Sequence, residues 1–388
     1  MAASAAPPVS SAAPSAASSA ASPAVTPGAR RRSRRRGTLR LVAGLAALAV
    51  LAGACGSGDG DETTTDEPSE GAAAPSENGG DAAFPVEIEH EYGSTTIEEL
   101  PERVVTVGLT DQDAVLTLGV VPVGITDWFG DHPHAVWPWA QDLLGGAEPE
   151  VLSSEQGINA EAIAALQPDV ILALYAGLTD DEYDTLSEIA PTVAQPGDYV
   201  DWGIPWQEQT RTIGRALGQA DEADALVQEV EDQLAQARAA HPEFEGATGV
   251  VATPYQERIS VYAPEDVRGR FMADLGFVPF EGLEDLAGDE FAPELSLEQT
   301  ELLDVDALVW ILGDDVQADL ARLHEEPLYG GLSVVAEGRE VAVSNYDTLG
   351  GATSFQTVLS VPVLIDGLVP MLAAAVDGDP ATVVEPPA

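Results

Sequence analysis

Beyond residue 84, the chain alternates between two patterns of hydrophobic and polar positions. Short apolar runs rich in Val and Ile, such as "ERVVTVGL", "VVPVGITD" and "VILALYAG", predict buried β-strands. The segments "DQDAVLTLG", "NAEAIAALQPD" and "TDDEYDTLSEIA" have helical spacing instead, and a capping box from Thr179 to Glu182 opens the last of them. Strands that alternate with helices predict parallel sheets covered by helices, the α/β class.

Two segments of the chain repeat earlier ones in the same order. "NAEAIAALQPDVILAL" from Asn159 and "SLEQTELLDVDALVWI" from Ser296 both begin with a helix-capping residue and place an acid, Glu161 or Glu298, in the first turn. Likewise, "TLGVVPVG" at residue 117 is similar to "DLGFVPFE" at residue 274. Two matches in one order predict two similarly built lobes.

A long uninterrupted helix is predicted between these lobes. Residues 221–241, "DEADALVQEVEDQLAQARAAH", contain no Gly or Pro and would span about 30 Å as a helix. We therefore predict two Rossmann-like α/β lobes, residues 84–220 and 242–388, joined by a single helix at 221–241. The ligand cleft is expected between the lobes, at the ends of the strands.

The first 54 residues are predicted to form an N-terminal lead segment followed by an export signal peptide. The basic segment "ARRRSRRRGTLR" precedes the apolar run "LVAGLAALAVLAGA", which is shorter than the roughly 20 residues of a membrane-spanning helix. The single cysteine, Cys55, ends "LAGAC", which resembles a lipobox and predicts a lipid-modified first residue of the mature protein. An uncleaved signal anchor is the alternative, and the adjacent arginines leave both Sec and twin-arginine export open.

Charge separates the mature chain from its leader. Residues 55–83 are predicted to be a lipidated Cys followed by a disordered acidic linker. All 66 acids follow Cys55, whereas only 9 of the 16 basic residues do, and the chain has no Lys. This balance excludes nucleic-acid binding, and it predicts membrane attachment through the lipid anchor only, on the outer face of the cell membrane.

The sequences of several segments are similar to those of one protein family. "PERVVTVGLTDQDAVLTLGVVPVGITDWFG", "GINAEAIAALQPDVILALYAGLTDDEYDTLSEIAPTV", "GRFMADLGFVPF" and "LSLEQTELLDVDALVW" resemble recurring segments of the substrate-binding proteins of ABC importers, in the class that serves iron-siderophore, haem and cobalamin uptake. The resemblance covers about residues 84–378. It implies an extracytoplasmic lipoprotein that carries a ferric siderophore to a permease, with haem or cobalamin as the alternative ligands.

The resemblance also gives a role to the two repeated glutamates. In the family, one glutamate on each lobe docks into arginine pockets of the permease, and the matching positions are Glu161 and Glu298. Complementary charge suits this role because it fixes register and speeds encounter. The alternative is that both are ordinary first-turn glutamates favoured by the helix dipole.

Candidate ligand residues lie where the predicted strands end. Aromatic faces suit a flat iron chelate, and arginines suit an anionic one such as a ferric tris-catecholate, whereas a neutral hydroxamate chelate needs them less. Three arginines fall within 13 residues. The candidates are Trp128, His132, Tyr175, Trp202, Tyr255, Arg258, Tyr262, Arg268, Arg270, Trp310 and Tyr346. Core packing is the alternative for the aromatic residues, and surface charge compensation for the arginines.

Other functions fit the sequence less well. His132 and His134 alone make an incomplete metal site, so we predict no metal site and no cofactor besides the siderophore ligand. The chain has no Gly-x-Ser-x-Gly, HExxH or Walker A motif, which disfavours an exported enzyme. An adhesive surface protein would show immunoglobulin-like β repeats rather than alternating strands and helices. A monomer is expected, because docking needs both lobe tips free.

Overall fold

The computed structural model describes residues 84–127, 132–154, 157–200, 202–255, 258–288, 290–382 and 384. The predicted export signal, Cys55, the acidic linker and Trp128 lie outside these residues. Within them, no helix is both long and apolar enough to cross a membrane.

The first lobe is built on a parallel five-stranded sheet preceded by a hairpin. The hairpin consists of β1 (Val86–His90) and β2 (Gly93–Ile97). The sheet strands are β3 (Val104–Thr106), β4 (Gly124–Asp127), β5 (Glu150–Ser153), β6 (Val170–Ala173) and β7 (Thr192–Ala194), in the order β5-β4-β3-β6-β7. The central strands β3 and β6 are wholly buried, because helices cover both faces of a parallel sheet.

Four helices and two 3₁₀ segments surround this sheet. The helices are α1 (Asp111–Thr117), α2 (Ala160–Ala165), α3 (Asp180–Ser187) and α4 (Trp206–Ala216), and the 3₁₀ segments are Pro133–Ala135 and Pro138–Leu144. The predicted capping box is present, with the Thr179 side chain accepting from the Glu182 backbone and the Glu182 side chain accepting from the Thr179 backbone. The strand and helix pattern expected for this part of the chain is confirmed.

One long helix, α5 (Ala220–Ala240), follows the first lobe and leads into the second. It differs from the predicted helix by one residue at each end. Its buried face, including Val227, Val230 and Leu234, packs into the core of the second lobe. A 3₁₀ turn, Pro242–Phe244, then leads into the second sheet.

The second lobe has a mixed five-stranded sheet. Its strands are β8 (Gly249–Tyr255), β9 (Arg258–Val261), β10 (Glu294–Ser296), β11 (Ala307–Leu312) and β12 (Glu340–Ser344), in the order β10-β9-β8-β11-β12. β8, β11 and β12 are parallel, while β9 pairs antiparallel with both β8 and β10. The hairpin expected from "VVATPYQERISVYAP" is therefore present. The helices are α6 (Val267–Leu275), α7 (Leu283–Ala287), α8 (Val316–Glu325), α9 (Ser333–Ala336), α10 (Thr348–Ser354) and α11 (Ser360–Val376), with a 3₁₀ segment at Leu297–Leu303.

The sequence repeats correspond to matching local structure. Gly119 after α1 and Gly276 after α6 have φ angles of 78° and 108°. The backbone N–H of each glycine donates to the carbonyl three residues earlier in the chain. The N–H of the residue that follows each glycine donates to the carbonyl five residues before itself. This pair of bonds is the Schellman helix ending, which favours glycine because it needs a left-handed residue. The same helix ending therefore follows α1 in the first lobe and α6 in the second.

The aspartates of the second repeat also have matching roles. Asp169, before β6, accepts hydrogen bonds from the backbone of Glu102 and Arg103 just before β3. Asp306, before β11, accepts one from the backbone of Thr248 just before β8. Each aspartate thus ties the start of one central strand to the start of its neighbour.

Candidate functional site

A cavity of about 610 Å³ opens at the carboxyl ends of β8, β11 and β12 in the second lobe. Its lining includes Thr253 near the end of β8, Gly313 after β11, and Asn345 and Tyr346 after β12. Ligands of open α/β sheets bind outside the carboxyl ends of the strands. The cavity therefore lies at strand ends, as expected for a ligand site, but all of its lining residues belong to the second lobe and not to both lobes.

Three of the predicted ligand residues line this cavity: Arg258, Tyr262 and Tyr346. The Tyr346 side chain is 57 % exposed. Arg258 begins β9 and forms an ion pair with Glu294 of β10 at 3.3 Å. Tyr255, at the end of β8, is similarly exposed but is not part of the lining.

Arg268 lies behind the cavity wall and not in it. Its guanidinium stacks 3.9 Å from the centre of the Tyr262 ring. It also donates two hydrogen bonds to Asp266, of 2.9 and 2.8 Å, and one to the carbonyl of Ser354. Because its charge is neutralised inside the protein, Arg268 supports the wall tyrosine instead of reaching the ligand space.

Tyr175 of the first lobe lies close to Arg268 and Tyr262 of the second lobe. It follows β6, is buried, and shares a side-chain hydrogen bond with Arg268 of the second lobe. Burial raises the pKa of its hydroxyl well above the ordinary value. The Trp202 ring packs edge-on against it at 5.3 Å between centroids. The carboxyl end of the first sheet therefore faces the Tyr262 side of the cavity.

Arg258, Arg268 and Arg270, which fall within 13 residues of the sequence, do not converge on one point. Arg270 donates to the Gly203 carbonyl at 2.5 Å and lines a second cavity of about 390 Å³ among α4, α5 and α6. Arg268 and Arg270 are two residues apart on α6, and side chains at that spacing point away from each other on a helix. The three arginines, close in sequence, therefore lie in three different surroundings.

Trp310 belongs to the core and leaves the set of candidate ligand residues. It lies within β11, is fully buried, and donates from its indole nitrogen to the Tyr329 hydroxyl at 2.8 Å and to Glu340 at 3.1 Å. The structure thus favours the core-packing alternative for Trp310, since β11 continues past it to Leu312.

His132 is half-buried in an aromatic cluster between the lobes. Its ring lies 4.2 Å from the Trp137 ring. Trp137 stacks in parallel on Trp139 and approaches Phe355 of the second lobe at 5.9 Å. The sequence prediction missed these last three residues, although "HPHAVWPW" already carried the two tryptophans beside His132.

A buried carboxylate beside this cluster joins the two lobes. Asp113 of α1 accepts hydrogen bonds from the Trp139 indole at 2.8 Å and from the Thr357 hydroxyl of the second lobe at 2.7 Å. Burial raises the pKa of Asp113 to about 6. Its neighbour Asp111 accepts from the backbone of Leu174 and Tyr175, and burial raises its pKa to about 6 as well.

Comparison with known proteins places the whole arrangement in a family. The sequence profile of the periplasmic binding proteins matches residues 104–344, more than half of the chain and both of the five-stranded sheets. The chain belongs to this family. The family resemblance and the two-lobed α/β fold expected from the sequence are thereby confirmed.

Relatives of this binding protein extend the similarity over most of its length. It is 27 % identical over 253 residues to the Fe(3+)-citrate-binding protein YfmC of Bacillus subtilis, covering 65 % of this chain and 76 % of YfmC. A periplasmic solute binding protein of Mycobacterium smegmatis is 37 % identical with a TM-score of 0.66, over 75 % and 98 % of the two chains. PiaA of Streptococcus pneumoniae, solved in complex with ferrichrome, is 28 % identical with a TM-score of 0.66, over 76 % and 99 %.

The predicted docking glutamates occupy equivalent places in the binding protein. Glu161 is exposed in the first turn of α2, after the capping residue Asn159. Glu298 is exposed in the first turn of the Leu297–Leu303 segment, after the capping residue Ser296. Their contact with a permease stays a prediction.

Arg322 was missed by the sequence prediction. It lies on α8, lines the large cavity and pairs with Asp319 of the same helix. Its signal was positional, because α8 begins just after the carboxyl end of β11. In the described part of the chain, no group of three or more His, Cys, Asp or Glu side chains is arranged to hold a metal ion.

Proposed function

We propose that this protein captures a ferric siderophore outside the cytoplasm and delivers it to the permease of an ABC importer. The observation that carries the proposal is the tyrosine-lined cavity at the carboxyl ends of β8, β11 and β12. Among the similar proteins, YfmC is named for binding ferric citrate, and PiaA was solved in complex with ferrichrome.

The size and chemistry of the cavity support a chelate of this kind. Sites for small organic ligands usually enclose about 300–1,000 Å³, and this cavity encloses about 610 Å³. Tyr262 and Tyr346 offer aromatic faces and hydroxyl groups, and Asn345 offers an amide. These groups can pack against the organic arms of a chelate and hydrogen bond to its oxygens.

The mode of delivery follows from the predicted anchor. A diacyl lipid on Cys55 would hold the acidic domain at the outer face of the membrane, where charge alone would repel it. Glu161 and Glu298, exposed on separate lobes, would then meet the permease.

Ligand binding to the full-length protein in detergent tests the proposal. Tryptophan fluorescence is followed while a ferric hydroxamate, a ferric catecholate, ferric citrate, haem and cobalamin are titrated in parallel. Saturable quenching by a ferric chelate at submicromolar concentration is expected. Binding of haem or cobalamin alone, or of none of the five, would contradict the siderophore assignment.

Two variants test whether the fluorescence quenching reports ligand binding in this cavity. Tyr346→Ala removes an exposed cavity residue and is expected to weaken chelate binding at least fivefold. Leu328→Ala serves as the control, because Leu328 is also 57 % exposed in the second lobe but does not line the cavity. Equal effects of the two substitutions would argue against this cavity as the binding site.

A further inference from the structure

Both arginines that line the large cavity are paired with acids of the protein itself, and the acids outnumber them. Arg258 is paired with Glu294 of the adjacent strand, and Arg322 is paired with Asp319. Asp319 and a further acid, Glu326, also line the cavity. The lining therefore carries two positive and two negative groups, and Glu294 adds a third negative charge at its edge.

Among the described residues, Arg258 and Arg322 are the only arginines that line this cavity. The chain beyond Cys55 has nine arginines and no lysine, and the structure describes every one of the nine. Arg268 is bound to buried Asp266, and Arg270 faces the second cavity. The remaining five bond elsewhere: Arg211, Arg215, Arg238 and Arg339 to acids, and Arg103 to backbone carbonyls near the start of β3.

No arginine that the structure describes in the first lobe lines the cavity either. Near Tyr262, the first lobe contributes Tyr175, against which the Trp202 ring packs. An anionic ligand entering this space would have to compete with the Glu294 and Asp319 carboxylates for the two cavity arginines, in a chain whose formal net charge is −50. Repulsion from the uncompensated acids would weaken its binding and slow its approach.

We propose that the cavity selects ferric chelates that carry no net negative charge, such as ferric trihydroxamates, over anionic catecholate and citrate chelates. This inference rests on the proposed function and narrows its ligand class. The neutral groups of Tyr262, Tyr346 and Asn345 bind the oxygens and apolar arms of such a chelate. The paired arginines act on it as dipoles instead of as net charges.

Affinities of full-length protein for four chelates test the selection. Ferrichrome is neutral, ferrioxamine B is cationic, and ferric enterobactin and ferric dicitrate are anionic. At low salt, the first two are expected to bind at least tenfold more tightly than the anionic pair. The gap is expected to narrow as salt rises, because screening reduces the repulsion. An anionic chelate that binds as tightly as ferrichrome, or more tightly, overturns the inference while leaving the proposed function intact.

A charge variant provides a second, independent readout. Glu294→Gln releases Arg258, so it is expected to tighten binding of ferric enterobactin severalfold, weaken that of ferrioxamine B, and change that of ferrichrome less than twofold. Glu245→Gln is the matched control, because it removes the same charge from the Arg238 pair outside the cavity. If both variants shift enterobactin binding equally, the selection does not arise in the cavity. If none of the four chelates binds the unmodified protein, the proposed function itself fails.

Discussion

Arg268 and Asp266 form an ion pair that water hardly reaches, since their side chains are 9 % and 0 % exposed. Replacing Arg268 with Met leaves the Asp266 carboxylate buried without its partner, which typically costs about 3–5 kcal/mol. Urea unfolding of Arg268→Met is therefore expected to show a loss of this size. Arg258→Met breaks an exposed pair and should cost less than about 1 kcal/mol. Similar losses for the two variants would contradict the buried-pair interpretation.

Asp113 should make stability depend on pH. Its pKa is about 6 in the folded protein because burial disfavours the charged carboxylate. The folded state thus holds this proton more tightly than the unfolded chain, and the contribution of Asp113 to stability decreases as pH rises from about 4 to 6. Asp113→Asn removes this loss. As pH rises from 4 to 7.5, the free energy of unfolding of the Asp113→Asn variant should increase by about 2 kcal/mol relative to that of the unmodified protein.

Chemical denaturation at several pH values checks this expectation. Asp142→Asn is the control, because Asp142 is an exposed acid on the Pro138–Leu144 segment. For this control, the difference in free energy of unfolding from the unmodified protein should change by less than about 0.5 kcal/mol over the same pH range. A flat pH profile for the Asp113→Asn difference would mean that the carboxylate is not destabilised by burial.

At the level of single residues, the sequence indicated which residue types could contact a ligand, but it did not indicate which of those residues are buried in the core. It drew attention to Arg258, Tyr262 and Tyr346, which line the cavity. It did not reveal that Trp310 is enclosed, because burial depends on elements distant in the chain. For Arg268 a local signal existed: Asp266, two residues earlier, is a favoured helix-capping residue and also the ion-pair partner.

Among the elements, close packing between lobes depends on a glycine. The Trp137 ring of the first lobe lies against Gly351 on α10, and a Cβ at that position would overlap the ring. Gly351→Ala should therefore force the two elements apart and cost about 1–3 kcal/mol. Tryptophan fluorescence and thermal unfolding would report the change. Gly331→Ala adds the same methyl group where only an ordinary 3.5 Å contact results, and it should leave both readouts nearly unchanged.

Elements with a periodic pattern and a capping signal were predictable from the sequence. The helix α5, the helix α3 with its capping box, and the β8–β9 hairpin are within a few residues of expectation. Short elements such as β10 and α9 were not predicted. They have three and four residues, too few to show a period, and tertiary contacts determine their structure.

At the scale of the whole molecule, α5 is not the only connection between the lobes. The Asp113–Thr357 hydrogen bond, the contact of Tyr175 with Arg268 and the Arg270–Gly203 hydrogen bond also join them. All of these pair residues far apart in sequence, which is why the repeats predicted two lobes but not their contacts. Such links restrict how far the lobes can move apart, so modest closure on a ligand is expected.

Delivery, unlike capture, should depend on the glutamates that each lobe exposes. Charge reversal by Glu161→Arg together with Glu298→Arg is expected to reduce uptake of the radiolabelled iron chelate at least tenfold in cells, because like charges would oppose docking. Ligand affinity should change less than twofold, since neither residue lines the cavity. Glu229→Arg, at an exposed position on α5, is the control and should leave uptake unchanged. Normal uptake by the double variant would show that these glutamates only support their helices, whereas loss of both uptake and affinity would point to disturbed folding.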